Sequence, residues 1–551
     1  MHMHNLSRKA VKRFGDRILK RLERDGVSVN FPQILEALAS AYEVRDWNTL
    51  SATLQDDEAD KGPKRAKVET GGFTTEIHEW QLTTDVSFSP LYSQSPFRRA
   101  LMDNQVELVS APPGKGKSIL LNVGNLDFCL AKRPLAVQSR LGIVDIGKSG
   151  LGVAKLLIDM LPDERKHEVV SKRLRMTPDM AINPFDTPLG QRLLDKRQSF
   201  LLTNLLRLML SQTPEHDSET IEEMDACRMA LRTCYDFWSD TGLSSKPASY
   251  TAGKDARVDA ALNRVGFTPK TWWEAVDLLF QVGDIQSALW AQRHAVPTLP
   301  DLVETLQSHE FVAVFGATTM KLMVRRLNTC IRNYPNLALR TSLELGNARV
   351  VVLDINELAP QGNGVPAQQT AIAYMLALHA VSQGIFPGQT IDKVSPVDGL
   401  AKAYWEHHRR EWTRRAPARL VLDELHRVAR FPAMSEQLVF DARESRKWGV
   451  NIVLSSQLDS DFTPGLLELA GTVWIGGANT SADINRLVER HRLSSSAHET
   501  ISRILTGPGP QGKPFFVVRD QEDGRKEEIH TIQLSADVIR LIDFQNEFRT
   551  C

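Results

Sequence analysis

From about residue 100 onward, short continuous apolar runs alternate with longer stretches of helical period. The runs are Val106–Ser110, Leu141–Ile146, Val350–Ile355, Leu420–Asp423, Asn451–Ser455, Thr472–Ile475 and Phe515–Val518. None alternates apolar with polar residues. Each therefore predicts a strand buried on both faces, as in a parallel sheet. Helical stretches between such strands are the pattern of βαβ units. Between residues 198 and 345 the pattern is largely helical, from FLLTNLLRLML through TWWEAVDLLF to MKLMVRRLNTCI, and predicts a helical insertion into the sheet domain.

The N-terminal part reads differently. Residues 6–25 predict an amphipathic helix with Leu6, Ala10, Phe14, Ile18 and Leu22 on one face. Phe31-Pro32 opens a second helix, and a third short element carries Val44, Trp47 and Leu50. Together they predict a small helical module over 1–54. A flexible linker over 55–75 follows, because QDDEADKGPKRAKVETGG holds almost no large apolar side chain. Its Pro63–Val68 stretch looks like a nuclear localisation signal, but such short basic runs arise by chance in linkers. The expected organisation is then a core with its first part at 76–197, the insertion at 198–345 and the second part at 346–551.

Composition narrows the function classes. The 551 residues hold 67 Lys+Arg and 67 Asp+Glu, a formal net charge of zero, which argues against a chain that wraps DNA along a basic stripe. With 42% hydrophobic and 24% charged residues, wholesale disorder is excluded. The five cysteines include no CxxC pair, so no disulfide framework or zinc site is expected and a reducing cytoplasm fits. The start, MHMHNLSRKAVKRFGDRILK, is basic without the apolar centre of a signal peptide. No run of roughly 18 apolar residues is present to span a membrane. His407-His408 and Cys227/Cys234 match no ligand spacing, and Trp272-Trp273 reads as packing.

The chemistry is concentrated in Ala111-Pro112-Pro113-Gly114-Lys115-Gly116-Lys117-Ser118. This is a P-loop pattern with Ala111 in place of the first glycine, and it has a strand before it and a helical pattern after it, as the motif requires. Backbone N–H groups of Pro113–Ile119 (Gly114, Lys115, Gly116, Lys117, Ser118 and Ile119, proline itself having none) are expected to cradle ATP phosphates at a helix N-terminus. Lys117 would bridge the β- and γ-phosphates, and the Ser118 hydroxyl would ligate Mg2+. A second acidic site is needed at a neighbouring strand end. Asp145, Asp354 and Asp423 all end apolar runs, but only Asp423 is followed by a carboxylate, Glu424. Asp423 is assigned to Mg2+ and Glu424 to the attacking water. Asp354 reads as a cap of the next turn, and Asp145 as close to the nucleotide without a catalytic role. Gln457, at the end of the next core strand, is placed to sense the γ-phosphate. Arg443 and Arg446 share a helix face. One of them is a candidate arginine finger reaching across a subunit interface, the alternative being a solvated face paired with Glu444.

These residues resemble a known group. The stretches APPGKGKSILLN, LGIVDIGKSG, Ala181–Gly190 (AINPFDTPLG), LVLDELHR and ARESRKWGVNIVLSSQ are similar to the conjugation and type IV secretion ATPases of the FtsK/HerA-like branch of RecA-type P-loop proteins. Within that branch they resemble the type IVB group, the IcmB/DotO-like ATPases and the TraU proteins of IncI-type plasmids. The resemblance covers roughly residues 85–545. It implies an α/β fold with a RecA-like P-loop core and a hexameric, cytoplasmic ATPase. It places that ATPase at the inner-membrane base of a secretion or conjugation channel, using ATP and Mg2+, with channel components and further copies of itself as partners. It carries over Lys117, Ser118, Asp423, Glu424 and Gln457 as nucleotide-site residues, and Arg443 or Arg446 as the finger. A DNA-translocating motor, with DNA as partner, is the alternative, and a nucleotide-binding assembly component without turnover is a third reading. One departure stands out. Only residues 1–110 precede the loop, where the group usually carries a larger channel-contacting domain. The chain is read as a partial protein or a separate soluble form. The segment 28–54 itself resembles a small helical module of plasmid-borne proteins, at times labelled glyoxalase-related. That resemblance rests mainly on Val44-Arg45-Asp46-Trp47-Asn48-Thr49-Leu50 and implies no chemistry.

Overall fold

The computed structural model describes residues 67–70, 73–82, 106–130, 139–147, 149–211, 220–386, 399–413, 417–494, 496–504, 512–521 and 524–534. The chain divides into two compact units, Met1–Glu76 and Ile77–Cys551. The helical module expected over 1–54 lies outside the described residues. Within the stretch read as linker and just beyond it, β1 (Lys67–Thr70) and β2 (Phe73–Leu82) pair as an antiparallel hairpin, Lys67 opposite Glu76.

The second unit is built on the nine strands from β3 onward. They are β3 (Val106–Ser110), β4 (Arg140–Asp145), β5 (Val169–Arg173), β6 (Val350–Asp354), β7 (Ala418–Leu422), β8 (Val450–Ser456), β9 (Thr472–Ile475), β10 (Lys513–Gln521) and β11 (Gly524–Leu534). Their spatial order is β5-β6-β4-β7-β8-β3-β9-β10-β11. All are parallel from β5 to β9; β10 turns back antiparallel to β9, and β11 is antiparallel to β10. The run at Phe515–Val518 was expected to be parallel and is not. Its four residues are all buried, so the continuous apolar pattern reported cover on both faces, which is independent of strand direction.

The alternation of side chains explains those runs. Leu108, Val144, Leu353, Leu422 and Leu454 enter one core, while Val109, Ile143, Val352, Val421 and Val453 enter the other. A strand that buries both faces leaves no polar alternation to be read. Helices α1 (Lys117–Leu130) and α2 (Ser149–Met160) cover the second face.

Between β5 and its neighbour β6 the chain makes eight described helices: α3 (Lys196–Leu210), α4 (Ile221–Trp238), α5 (Ala256–Val265), α6 (Trp272–Gln281), α7 (Ile285–Ala295), α8 (Leu299–Gln307), α9 (His309–Phe315) and α10 (Ala317–Asn333). These divide into two groups. Leu201, Leu205, Tyr235, Leu302 and Leu327 share the first core with the sheet, so α3, α4, α8 and α10 serve as a covering layer. The α5–α7 hairpins instead close around Trp272 and Trp273, each 1% exposed, as a satellite core of their own. Trp273 donates its indole N–H to the Trp238 carbonyl at 3.0 Å, so both rings are packed inside and that of Trp273 is hydrogen-bonded. The remaining helices are α11 (Val365–Ser382), α12 (Gly399–Thr413), α13 (Pro432–Trp448), α14 (Pro464–Leu469), α15 (Ser481–Arg490) and α16 (Ala497–Ile504).

Ala181–Gly190 joins the sheet to this helical layer. Asn183 Nδ2 donates to the Pro297 carbonyl at 2.9 Å, and Gln292 Nε2 donates to the Thr187 and Pro188 carbonyls at 2.8 and 2.9 Å. Gly190 has φ +76°, and a Cβ there would stand 2.5 Å from the Tyr404 ring. The run is a buried connector, which accounts for its dense pattern of Asn, Pro and Gly.

Candidate active site

Parallel strands bring their C-terminal ends to one edge, and the loops after β3, β7, β8 and β4 meet there. The loop after β3 is shaped by two glycines in the left-handed region, Gly114 (φ +73°) and Gly116 (φ +80°), where a side chain is strained. The first intrahelical bond of α1 runs from Leu120 N–H to the Gly116 carbonyl at 3.0 Å. The N–H groups of Lys117, Ser118 and Ile119 precede it, at the positive end of the helix. Pro113 and Gly114 are exposed, Ser118 and Ile119 half-buried, and Lys117 is 7% exposed. Ala111 is fully buried, and a Cβ on Gly476 would lie 2.6 Å from its methyl. A small residue at both positions lets β9 seat against the loop.

Lys117 joins this loop to the end of β7. Its ammonium donates to Asp423 Oδ1 at 2.6 Å and to Glu424 Oε1 at 2.5 Å. Burial opposes its charge, but Asp423 and Glu424 outweigh burial and raise its pKa above the usual lysine value. Ser455 Oγ, on β8, donates to Asp423 Oδ1 at 2.8 Å, and Gln457 Nε2 donates to Glu424 Oε2 at 2.9 Å. His426 Nδ1 stands 3.0 Å from the same Glu424 oxygen. Burial alone would raise the Glu424 carboxyl. His426, Lys117 and Gln457 together hold it down at about 2. Glu424 also adopts φ +56°, one of two non-glycine residues with positive φ among those described. Strain of this kind persists where the surroundings over-determine a conformation, and it gathers at working sites. Tyr374 on α11 donates its hydroxyl to the Asp423 carbonyl at 2.8 Å, pinning the turn from behind.

Asp145, at the end of β4, is a neighbour of this cluster. It accepts from the Ser149 hydroxyl and the Gly150 N–H, both at 2.9 Å. Burial, then the charge of Asp423, push its carboxyl up to about 7 against those two hydrogen bonds. Asp354 does something else. It accepts from Arg173 Nε at 2.8 Å and caps the following turn through the Asn356 N–H at 2.9 Å.

Loop, lysine, acidic pair and Gln457 thus come together. Arg443 and Arg446 do not join them. Both are exposed on α13, and among the described residues neither has a hydrogen-bond or ion-pair partner, Glu444 included. His407 packs edge-on against Phe280, and His408 meets the Leu189 carbonyl at 2.8 Å. Cys227 and Cys234 are buried within α4.

Three participants had no signal strong enough to assign them. Ser455 and His426 lie inside quoted motifs, but a hydroxyl in a strand or a histidine after one is usually structural. Lys513, the first residue of β10, is 2% exposed and reaches back to the loop. Its ammonium donates to the Gly476 carbonyl at 2.7 Å.

Comparison with known proteins adds little that bears on the site. Residues 1–77 match a sequence family described as a glyoxalase superfamily protein; the module-like segment 28–54 lies inside that stretch. No match is found among curated proteins. The solved structure of VirB4 of Thermoanaerobacter pseudethanolicus is similar to this chain, with 16% sequence identity and a TM-score of 0.47, covering 79% of this chain and 91% of that one. Among the described residues no helix is long and apolar enough to cross a membrane.

Proposed function

We propose that the chain is an ATP-hydrolysing, energy-coupling ATPase of a conjugative DNA-transfer or type IVB-like secretion system, built on a RecA-like core. The observation that carries the hydrolase reading is the Lys117 ammonium held between Asp423 and Glu424 at the foot of a glycine loop. A buried lysine clasped by two carboxylates is a site at rest. An entering polyphosphate offers Lys117 a stronger anion, frees the acidic pair and uses the N–H groups of α1. Glu424, released from Lys117, then orients the attacking water and draws on its proton, while Gln457 couples that carboxylate to the end of β8. The Ser118 hydroxyl and Asp423 carboxylate are hard oxygen donors of the kind Mg2+ takes. The cation already drawn to Asp423, Lys117, supports that fit. Bound there, Mg2+ supplies positive charge against the phosphates.

The transport half of the reading rests on the sequence resemblance. It takes the chain as a cytoplasmic hexamer, peripheral at the inner membrane, with channel components as partners. Exposed Arg443 and Arg446, free of Glu444, are available to a neighbouring copy as the finger. The experiment is steady-state ATP hydrolysis by the purified chain across protein concentration. Specific activity should rise with concentration and vanish in Lys117→Ala. Mixing Glu424→Gln with the inactive Arg variant should restore part of it. Undiminished turnover in Lys117→Ala ends the hydrolase reading, and a monomeric mass with a concentration-independent rate ends the ring.

A further inference from the structure

Lys513 lies 395 residues beyond the loop serine Ser118 in sequence, yet its side chain lies across the loop. A Cβ placed on Gly116 would stand 2.9 Å from Lys513 Cγ and 3.7 Å from its Cβ and Cδ. Gly116 is thus glycine for two reasons, its φ of +80° and the lysine stem above it. The ammonium reaches the carbonyl of Gly476, whose N–H in turn donates to Ser110 at the end of β3 at 2.7 Å. The Phe515 ring lies 5.5 Å from the same ammonium. Burial, then the like charge of Lys115, push the Lys513 pKa down to about 8. An anion in the loop would act against both effects, because it would offset Lys115 and favour the charged form of the ammonium.

We propose that Lys513 is a second phosphate-binding lysine of this loop, whose ammonium leaves the Gly476 carbonyl for the polyphosphate of a bound nucleotide. The inference rests on the loop being a nucleotide site and adds to it a residue from β10. Lys117 belongs to α1 and faces the acidic pair; Lys513 approaches from the β9–β10 side. Occupancy of the loop would then be felt directly by β10 and its neighbour β11, through the Lys513 side chain.

The test is equilibrium binding of a non-hydrolysable ATP analogue and of inorganic tripolyphosphate to the full chain, wild type and Lys513→Met, alongside melting of the ligand-free proteins. Loss of one charge-assisted contact predicts a drop in affinity of about 10- to 100-fold for both probes. Equal affinity in the two proteins overturns the assignment and leaves Lys513 a prop for the loop. A wild type that binds neither probe overturns the nucleotide reading itself, and this inference with it. If Lys513→Met does not fold, acetylation of Lys513 in the wild type decides. Tripolyphosphate should slow its modification, and an unchanged rate counts against the proposal.

Discussion

Two buried polar clusters stand at opposite ends of β3, β7 and β8, one near the strand starts and one just past their C-terminal ends, and they behave in opposite ways. Near the strand starts, Arg419 Nη1 donates to Glu107 Oε1 at 3.2 Å and to Asn451 Oδ1 at 2.6 Å, and its Nε donates to Asn125 at 3.0 Å. Asn451 and the Trp474 indole complete Glu107 at 2.9 and 3.2 Å. Arg419, Glu107, Asn125 and Trp474 are each 1% exposed. At the strand ends, Lys117, Asp423 and Glu424 are also ion-paired, but Glu424 is half-buried, its backbone is strained, and the loop beside it is exposed at Pro113 and Gly114. The first cluster has rigid partners that nothing displaces. In the second, the cation sits on a flexible stem at the edge of solvent. Burial and pairing alone therefore do not mark a site; access and exchangeable partners do.

The sharpest way to separate the two ends is to remove charge at the open one. Glu424→Gln should keep nucleotide binding and lose turnover by roughly 10²–10³-fold or more, since Gln preserves the shape but cannot take a proton. Asp423→Asn should instead weaken binding that depends on Mg2+. Single-turnover hydrolysis and nucleotide titrations with and without Mg2+ distinguish them. If Asp354→Asn lost turnover while Glu424→Gln kept it, the wrong strand end would have been chosen, and its pairing with Arg173 would need another explanation.

The closed end should respond in stability and not in nucleotide affinity. Arg419→Met strands the Glu107 carboxylate in the core, and breaking a buried pair in this way costs about 3–5 kcal/mol. Combining it with Glu107→Gln removes the orphaned charge while keeping acceptors and donors for Asn451 and Trp474. The double variant should therefore be more stable than the single, with affinity for an ATP analogue within about twofold of wild type. Chemical denaturation of the four proteins of the cycle measures the coupling. A fall in nucleotide affinity as steep as the fall in stability would mean that the two ends are one network.

What was legible in the chain follows the same division. Seven strands were readable as continuous apolar runs because they are buried on both faces. β5 (VVSKR) was not, because a strand at the margin of a sheet carries polar residues, and β11 (GRKEEIHTIQL) was not, because its first half is exposed or half-buried. Lys117, Asp423, Glu424 and Gln457 could be placed because motif and strand-end position constrain each other. Lys513 could not, because a lysine before Pro514 has no local pattern, and only the antiparallel return of β10 brings it to the loop. The Glu107–Arg419 pair was equally invisible, since Glu107 stands within one apolar run and Arg419 just before another, without any spacing that links the two. The helical stretch was recognisable as helix, but its division into a covering layer and a satellite core depends on tertiary packing alone.

The smallest expected effect concerns Asp145, which stands beside the open cluster without joining it. Its carboxyl is raised from the usual 3.8 to about 7. The sign follows from comparing the two states. Below about pH 4 it is protonated folded and unfolded alike, and costs nothing. As pH rises toward 7 the unfolded chain releases this proton first, so the folded state holds more protons and stability falls. Above 7 both states are ionised and the loss is complete. Half-buried His294 and buried His379, both lowered to about 4 chiefly by desolvation, act in the opposite sense, with stability rising between about pH 4 and 6.5. The wild-type curve alone therefore cannot isolate Asp145, but the difference from Asp145→Asn can, because the histidine contributions cancel. Asn retains an acceptor for Ser149 and Gly150 and has no proton to lose. The ligand-free variant should gain on wild type by on the order of 1–2 kcal/mol between pH 5 and 7, less than the full displacement would give because Asp423 shares the titration. Denaturant midpoints at pH 5, 6 and 7 read this directly. A difference that is flat with pH would mean that Asp145 is ionised throughout and that its two hydrogen bonds outweigh its burial. It would then belong to the closed kind of cluster, held as Glu107 is, and not to the open one.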